Sequence, residues 1–209
     1  MCINMKKLLL VILAALTTAS ASAQYNTGDV SITESTIYYG GRIGIDFASL
    51  TGDNTSGFCM RTGFNLGVIV GVHISERTPI CIETGIYYTE RGAKLKKDDY
   101  KQTTSLGYLE LPVLVKYGFD IGNGMAVLPY VGPYFSLGVG GKIKDNIVSV
   151  SSFADAYNRF DMGFKLGCGF EWNHLYLETG YQLGVANIAQ ESVRTTHGNA
   201  IYINFGINL

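Results

Sequence analysis

The sequence predicts an all-β protein, an eight-stranded antiparallel up-and-down transmembrane β-barrel. Three observations lead to this prediction. Hydrophobic and polar residues alternate strictly through several segments, long and short connections alternate between these segments, and charges recur on the face opposite the hydrophobic one. A period of two places successive side chains on opposite faces of a strand. In a transmembrane barrel the hydrophobic face meets lipid and the polar face lines the interior.

The first 23 residues are typical of an export signal. Lys6 and Lys7 form a basic start, residues 8–16 form a hydrophobic run, and residues 21–23 form a cleavage site of small side chains. A transmembrane helix is the alternative, but it needs about 20 hydrophobic residues. We therefore expect a signal peptide over residues 1–23.

The remainder, residues 24–209, is expected to form a single outer-membrane barrel domain. Translation starts at Met1 or at Met5. Without Lys6 and Lys7, 14 of the 16 basic residues remain against 17 acidic residues, which gives a net charge near −3. This balance offers no basic surface for nucleic acid, so we expect no nucleic-acid partner.

Eight segments carry the alternating pattern. We expect strands at about residues 38–48, 60–75, 80–91, 108–117, 125–140, 160–172, 175–184 and 201–209. The connections between them are long at residues 50–57, 92–104, 141–159 and 186–199, and short at residues 75–79, 120–124 and 173–174. Outer-membrane barrels place long loops outside and short turns in the periplasm. The last strand must pair with the first to close the barrel.

Three positions set local expectations within this scheme. Pro112 cannot donate to the strand ladder, so we expect a bulge or a local break there. A two-residue turn at Asn123 and Gly124 would exchange the two faces of the next strand, so we expect a three-residue turn that includes Gly122. A two-residue turn at Asn173-His174 matches the faces of its strands without adjustment.

The polar face predicts a network of charged side chains in the barrel interior. Its ten members are Arg42, Asp46, Arg61, Glu83, Glu110, Lys116, Asp161, Lys165, Glu171 and Glu178. A soluble lipocalin-like barrel is the alternative fold, but ten charges cannot line a lipid-binding cavity. An eight-stranded barrel is narrow enough for side chains to fill it, which favours a packed plug over an open pore. With six acids against four bases, a pore would slightly prefer cations.

No residue pattern indicates a cofactor or a metal site, because no CxxC or histidine-rich spacing occurs. Three cysteines follow the signal peptide, an odd number that argues against a disulfide framework. Of the three histidines, His73 and His174 fall near the periplasmic side. Only His197, near Ser192 and Glu191, is placed for catalysis at the outer face, and a lone loop histidine is more often a solvated residue. We therefore expect no enzymatic activity.

The segment Tyr-Leu-Glu-Leu-Pro-Val-Leu-Val-Lys-Tyr at residues 108–117, preceded by Tyr-Tyr-Thr-Glu-Arg-Gly and followed by Pro-Tyr-Val-Gly-Pro at residues 129–133, resembles the PorT-like outer-membrane β-barrel family of Gram-negative bacteria. The resemblance covers essentially all of residues 24–209. It implies an eight-stranded barrel of OmpA or OmpX shape. It implies little chemistry, since most members have no assigned activity and the founding member is linked to protein secretion. Leu209 departs from the aromatic last residue that outer-membrane assembly signals commonly have.

These observations predict a structural protein, or one that binds partners through its loops. A narrow ion or small-solute channel is one alternative, and an accessory component of protein secretion is another. The expected partners are outer-membrane lipid, lipopolysaccharide, the outer-membrane assembly machinery and an unidentified protein at the outer loops. Lipopolysaccharide phosphates would meet lysines of the second long loop, and a protein would meet aromatic residues of the outer loops: Lys94, Lys96, Lys97, Lys101, Tyr100, Phe153 and Tyr157.

Overall fold

The computed structural model describes residues 37–52, 58–75, 78–97, 100–144, 149–151, 158–187 and 196–209. The expected signal peptide lies outside these residues. Within the described ranges, no helix is long and apolar enough to cross a membrane.

Within the described residues, ten β-segments make up one antiparallel sheet. They are β1 (Ile37–Gly52), β2 (Phe58–Ser75), β3 (Thr78–Lys97), β4 (Tyr100–Tyr117), β5 (Phe119–Gly122), β6 (Met125–Lys144), β7 (Ser149–Ser151), β8 (Phe160–Trp172), β9 (Leu175–Gly184) and β10 (Thr196–Asn208). β4 and β5 are two parts of one strand interrupted at Gly118, since both pair with β6. The short β7 pairs only with the end of β6. Eight strands therefore form the wall.

The wall is a closed barrel because its first and last strands pair. β1 and β10 are antiparallel from Gly40↔Asn208 to Gly52↔Thr196. Tyr39 and Leu209 extend this seam with two backbone hydrogen bonds of 3.0 and 2.7 Å. When β4 and β5 are counted as one strand and β7 is left out, every other pair of neighbours in the wall is also consecutive along the chain. The predicted eight-stranded up-and-down barrel is confirmed.

The strands extend further than the hydrophobic pattern predicted. β3 and β4 remain paired to Lys97↔Tyr100, so most of the expected loop at residues 92–104 is a β-hairpin. β10 begins at Thr196, inside the expected loop at residues 186–199. β6 likewise continues to Lys144. These extensions are rich in Lys, Thr, Ser and Gly, and a strand that no longer crosses hydrocarbon needs no hydrophobic face.

The turn between β5 and β6 corrects one prediction. The turn contains only Asn123 and Gly124, with Gly122 paired to Met125, rather than the three residues expected. The faces of β6 stay matched because a bulge between Asp120 and Gly122 adds one residue, Ile121, to β5. The expected two-residue turn at Asn173-His174 is confirmed by the pairing of Trp172 with Leu175.

Pro112 interrupts the ladder locally, as expected, but without a bulge. Pairing between β3 and β4 lapses between Thr84↔Val113 and Tyr87↔Glu110, while the register on both sides stays the same. The hydroxyl of Thr84 donates to the Pro112 carbonyl at 2.8 Å, so the proline carbonyl keeps a partner.

The two ends of the barrel differ in their connections. The turn end carries the short connections at residues 76–77, 123–124 and 173–174 and the seam residues Tyr39 and Leu209. The loop end carries the connections that follow β1, β3, β7 and β9. Between them, the outward face is a belt of exposed hydrophobic side chains, including Ile43, Val68, Ile86, Val131, Phe164, Leu177 and Phe205. Aromatic side chains pair at the edges of the belt: Phe64 with Tyr88, and Tyr117 with Phe119.

Cys81 and Cys168 are free thiols.

Gly122→Ala is expected to lower the free energy of unfolding by about 1–2 kcal/mol, because Gly122 has a φ of +84° that a Cβ disfavours. A Cβ there would touch nothing within 4 Å, so the effect is that of the backbone alone. Gly41→Ala is the control, since its Cβ would also meet open space and its φ is not positive. Urea unfolding of the refolded barrel in lipid vesicles measures both, and equal stabilities would contradict the backbone explanation.

Candidate functional site

The interior contains nine of the ten charged residues predicted for it. Eight are buried: Arg42, Asp46, Glu83, Glu110, Lys116, Asp161, Lys165 and Glu178. Glu171 is half-buried and accepts a hydrogen bond from the Asn208 amide at 2.8 Å. Two clusters of ion pairs organise these side chains, one toward each end of the barrel.

The turn-end cluster is built around Glu83 of β3. Its carboxylate lies 2.8 Å from the ammonium of Lys116 and 3.4 Å from the guanidinium of Arg42. The hydroxyl of Tyr38 donates to the same carboxylate at 2.9 Å. Arg42 stacks on the Tyr176 ring at 4.1 Å and donates to the Asn208 side chain at 2.7 Å. The cluster thus joins β1, β3, β4, β9 and β10 across the lumen.

The loop-end cluster is built around Glu110 of β4. Its carboxylate forms ion pairs with both Arg91 and Lys165. It also accepts hydrogen bonds from Ser136 at 3.2 Å and Gln182 at 3.0 Å. A carboxylate can accept about four hydrogen bonds, so these partners largely satisfy it.

Asp161 adds a second carboxylate to the loop-end cluster. It lies 2.9 Å from Arg91 and accepts a hydrogen bond from Tyr134 at 3.2 Å. Arg91 therefore bridges two acids of different strands, Glu110 of β4 and Asp161 of β8.

Two further acids are held mainly by neutral donors. Asp46 accepts hydrogen bonds from the Asn65 amide, at 2.8 Å, and from the Thr89 hydroxyl. Glu178 accepts one from the Asn204 amide at 2.7 Å, and the Lys116 ammonium lies 3.8 Å away. The interior therefore combines ion pairs with a layer of hydroxyl and amide donors.

Tyrosines fill the space between the charges, and glycines make room for them. A Cβ added at any of five inward glycines would lie 2.0–2.5 Å from a tyrosine side chain. These contacts are Gly67 with Tyr87, Gly71 with Tyr38, Gly167 with Tyr130, Gly169 with Tyr176, and Gly180 with Tyr202. Each tyrosine ring packs over the glycine backbone of an adjacent strand. The space that the inward glycines leave is therefore filled by tyrosine rings from neighbouring strands.

Arg61 corrects the predicted network. It lies outside the two clusters, and its guanidinium pairs with Glu90 at 3.1 Å. A bulge in β2 between Met60 and Asn65 breaks the alternation, so Arg61 reaches the outward side where Glu90 and Tyr88 lie. Alternation alone cannot reveal such an inserted residue.

Arg91 is the interior cation that the sequence reasoning missed. The predicted third strand ends at Arg91 and the predicted network does not include it, yet Arg91 is buried and pairs with two acids. Continuing the inward series of Glu83, Tyr87 and Thr89 by one more step would have found it.

The histidines form no catalytic arrangement among the described residues. His174 and His197 each contact a backbone carbonyl through Nδ1, those of Asn208 and Ala186. His73 lies against the Tyr38 ring, with centroids 5.5 Å apart. Ser192 and Glu191, which the sequence placed near His197, lie outside the described residues. Within the described ranges, no group of three or more His, Cys, Asp or Glu side chains is arranged to hold a metal ion.

A family model for the outer membrane protein beta-barrel domain matches residues 22–190. The chain belongs to this family. Its closed barrel with a hydrophobic outer belt fits the outer membrane of a Gram-negative cell, which confirms the predicted location. No match to a curated protein sequence was found.

Solved structures of similar fold share little sequence with this chain. Neisserial surface protein A is 14% identical, with 83% of this chain and 97% of that chain covered and a TM-score of 0.47. Ail of Yersinia pestis is 12% identical, with 82% and 98% covered and a TM-score of 0.45. A major outer membrane protein from Thermus thermophilus is 12% identical, with 81% and 99% covered and a TM-score of 0.43. These likenesses concern the fold alone.

Glu110→Gln is expected to lower the free energy of unfolding by about 3–5 kcal/mol, because Arg91 and Lys165 would lose the carboxylate that both contact in the buried cluster. Glu90→Gln is the matched control. It breaks a partly exposed ion pair with Arg61, which is worth about 0–1 kcal/mol. Urea unfolding in vesicles compares the two variants. Similar small losses would show that the loop-end cluster is not needed for stability.

Proposed function

We propose that this protein is a non-enzymatic outer-membrane barrel whose interior is a structural plug and whose interactions occur at its loop end and outer wall. The observation that carries this proposal is that charged side chains from several strands are buried and paired with one another in the lumen. Arg91 and Glu110 pair with residues of β8, and Lys116 lies near Glu178 of β9, across the lumen. With Glu83, these side chains are at most 5% exposed. Side chains committed to one another in this way leave the lumen filled rather than open.

A narrow channel is the second candidate, and one feature favours it. The described interior holds six acids against four bases, Arg42, Arg91, Lys116 and Lys165, which leaves an excess of negative charge. Such an excess would favour cations if water crossed the barrel. A cavity of about 10 Å³ lies at the loop end of the interior, near Arg91 and Asp161. It has room for about one water molecule.

Planar-bilayer recordings of the refolded protein are expected to show no steady conductance, because the two clusters fill the lumen. Glu110→Gln and Lys116→Met serve as interior variants, and Glu90→Gln serves as an outward-facing control. A steady current that changes in either interior variant, but not in the control, would assign the channel function instead.

The partners follow from the two faces of the barrel. The hydrophobic belt meets lipid, and the assembly machinery inserts the chain. The hairpin of β3 and β4 brings four lysines to the loop end, where anionic lipopolysaccharide is the partner they suit: Lys94, Lys96, Lys97 and Lys101. Phe153 and Tyr157, the aromatic candidates for a protein partner, lie outside the described residues.

The PorT-like resemblance supports one narrower role, that of an accessory to protein secretion. It rests on the Leu-Glu-Leu-Pro segment at residues 109–112. In the structure Glu110 of this segment is the centre of the loop-end cluster. The ion pairs of Glu110 give the Leu-Glu-Leu-Pro segment a role in the structure of the barrel. The presence of this segment therefore supports the fold more directly than it supports a role in secretion.

The loop end is expected to face outward and the turn end to face the periplasm. Cysteine introduced at exposed Arg159 should react with a membrane-impermeant maleimide on intact cells, and cysteine at exposed Ile121 should react only after lysis. The unsubstituted protein controls for its own cysteines. Labelling of the Ile121 variant in intact cells would reverse the orientation.

A further inference from the structure

We infer that the outer wall of the barrel carries a binding groove for a phosphorylated glycolipid of the outer leaflet. The outer-wall groove is lined by the side chains of Arg61, Tyr88, Glu90, Thr103 and Ser105 and has a volume of about 410 Å³. This inference rests on the lipopolysaccharide binding proposed above and assigns that binding to one site on the outer wall.

The groove lies at the loop-side edge of the hydrophobic belt. Tyr88 forms an aromatic pair with Phe64, at 5.6 Å between ring centroids, and Leu109 and Val139 are exposed hydrophobic residues nearby. One step further along β3 on the same face is Glu90. Aromatic girdles mark the interface between hydrocarbon and headgroups. A lipid lying against this wall would therefore have its headgroup at the groove and its chains along the belt.

The groove offers charges and hydroxyls of the kind that bind a phosphorylated sugar. Arg61 is held by Glu90 at 3.1 Å and by the Arg91 carbonyl at 3.3 Å, two bonds for a group with five N–H donors. Lys94 is exposed and pairs across the hairpin with Thr103. Lys94 is not a lining residue but lies next to Thr103 at the edge of the groove. The groove and its edge together hold two cations against one carboxylate, and a guanidinium suits phosphate geometry. Glu90, Thr103 and Ser105 have oxygen atoms suited to sugar hydroxyls.

The depression exists because its floor is glycine. A Cβ at Gly107 would lie 2.9 Å from the Tyr88 hydroxyl, so any larger residue there would displace that ring. A Cβ at Gly140 would meet nothing within 4 Å, so that position opens directly into the groove. Gly141 completes the floor.

Two bulges flank the groove and shape it. One adds a residue to β2 beside Arg61 and turns that side chain outward. The other adds Val139 to β6 opposite Gly107 and Tyr108. Bulges occur often at barrel rims, where they redirect side chains. Both bulges lie at residues of the groove or next to them.

The test measures binding of rough lipopolysaccharide to the refolded barrel in phosphatidylcholine nanodiscs, by titration and native mass spectrometry. Arg61→Gln removes the less exposed of the two cations, and Gly140→Trp fills the groove from its open floor position. Gly41→Trp is the matched control, because a Cβ there also meets open space on the outward face away from the groove. Both groove variants should bind at least about tenfold more weakly than the parent, and the control should bind equally.

Three comparisons decide the chemistry. Dephosphorylated lipopolysaccharide and phosphatidylglycerol should both bind more weakly than the intact glycolipid, and equal binding of either overturns the assigned ligand. If a triple variant of Lys96, Lys97 and Lys101 to Gln loses binding while Arg61→Gln and Gly140→Trp keep it, the groove is overturned and the loop contact stands. Intact lipopolysaccharide that binds the parent no better than phosphatidylglycerol overturns both.

Discussion

The pairing of buried charges inside a closed wall is the constraint on which this structure depends. Hydrocarbon outside the barrel obliges every backbone group to pair within the sheet, so the wall has no free edge. Closure in turn removes the inward side chains from bulk water. A buried charge is costly unless it is paired and hydrogen-bonded. The two clusters around Glu83 and Glu110 meet this requirement by drawing cations from several strands of the wall.

Tyrosine and glycine solve the remaining problem of volume. A narrow lumen cannot accept a large side chain from every strand at the same level. Inward glycines on some strands admit rings from others, as Gly71 admits Tyr38 and Gly169 admits Tyr176. The rings also stack beneath the cations, with Lys116 4.4 Å from the centre of the Tyr176 ring. Packing and charge pairing are thus carried out by the same side chains.

The sequence predicted the barrel because its signal is periodic and redundant. Eight alternating segments each assign their own two faces, and the alternation of turn lengths constrains their order. Prediction failed where a single inserted residue changed the period. The alternating pattern places Arg61 inside the barrel because no residue in the sequence marks the bulge in β2. The pattern also argues against a two-residue turn after Gly122, because it does not reveal that Ile121 is an extra residue in β5. The predicted network lacks Arg91 because the predicted third strand ends where its hydrophobic face ends.

The turn-end cluster also bears on how such a wall can be assembled. Its members come from β1, β3, β4, β9 and β10, and Arg42 reaches Asn208 across the seam between the first and last strands. No contiguous half of the sheet contains a complete set of partners. An open sheet inserted strand by strand would bring Glu83 and Lys116 toward hydrocarbon before the seam groups arrive. The arrangement of these contacts therefore favours a folding pathway in which the sheet curves and β1 pairs with β10 while water still reaches the interior.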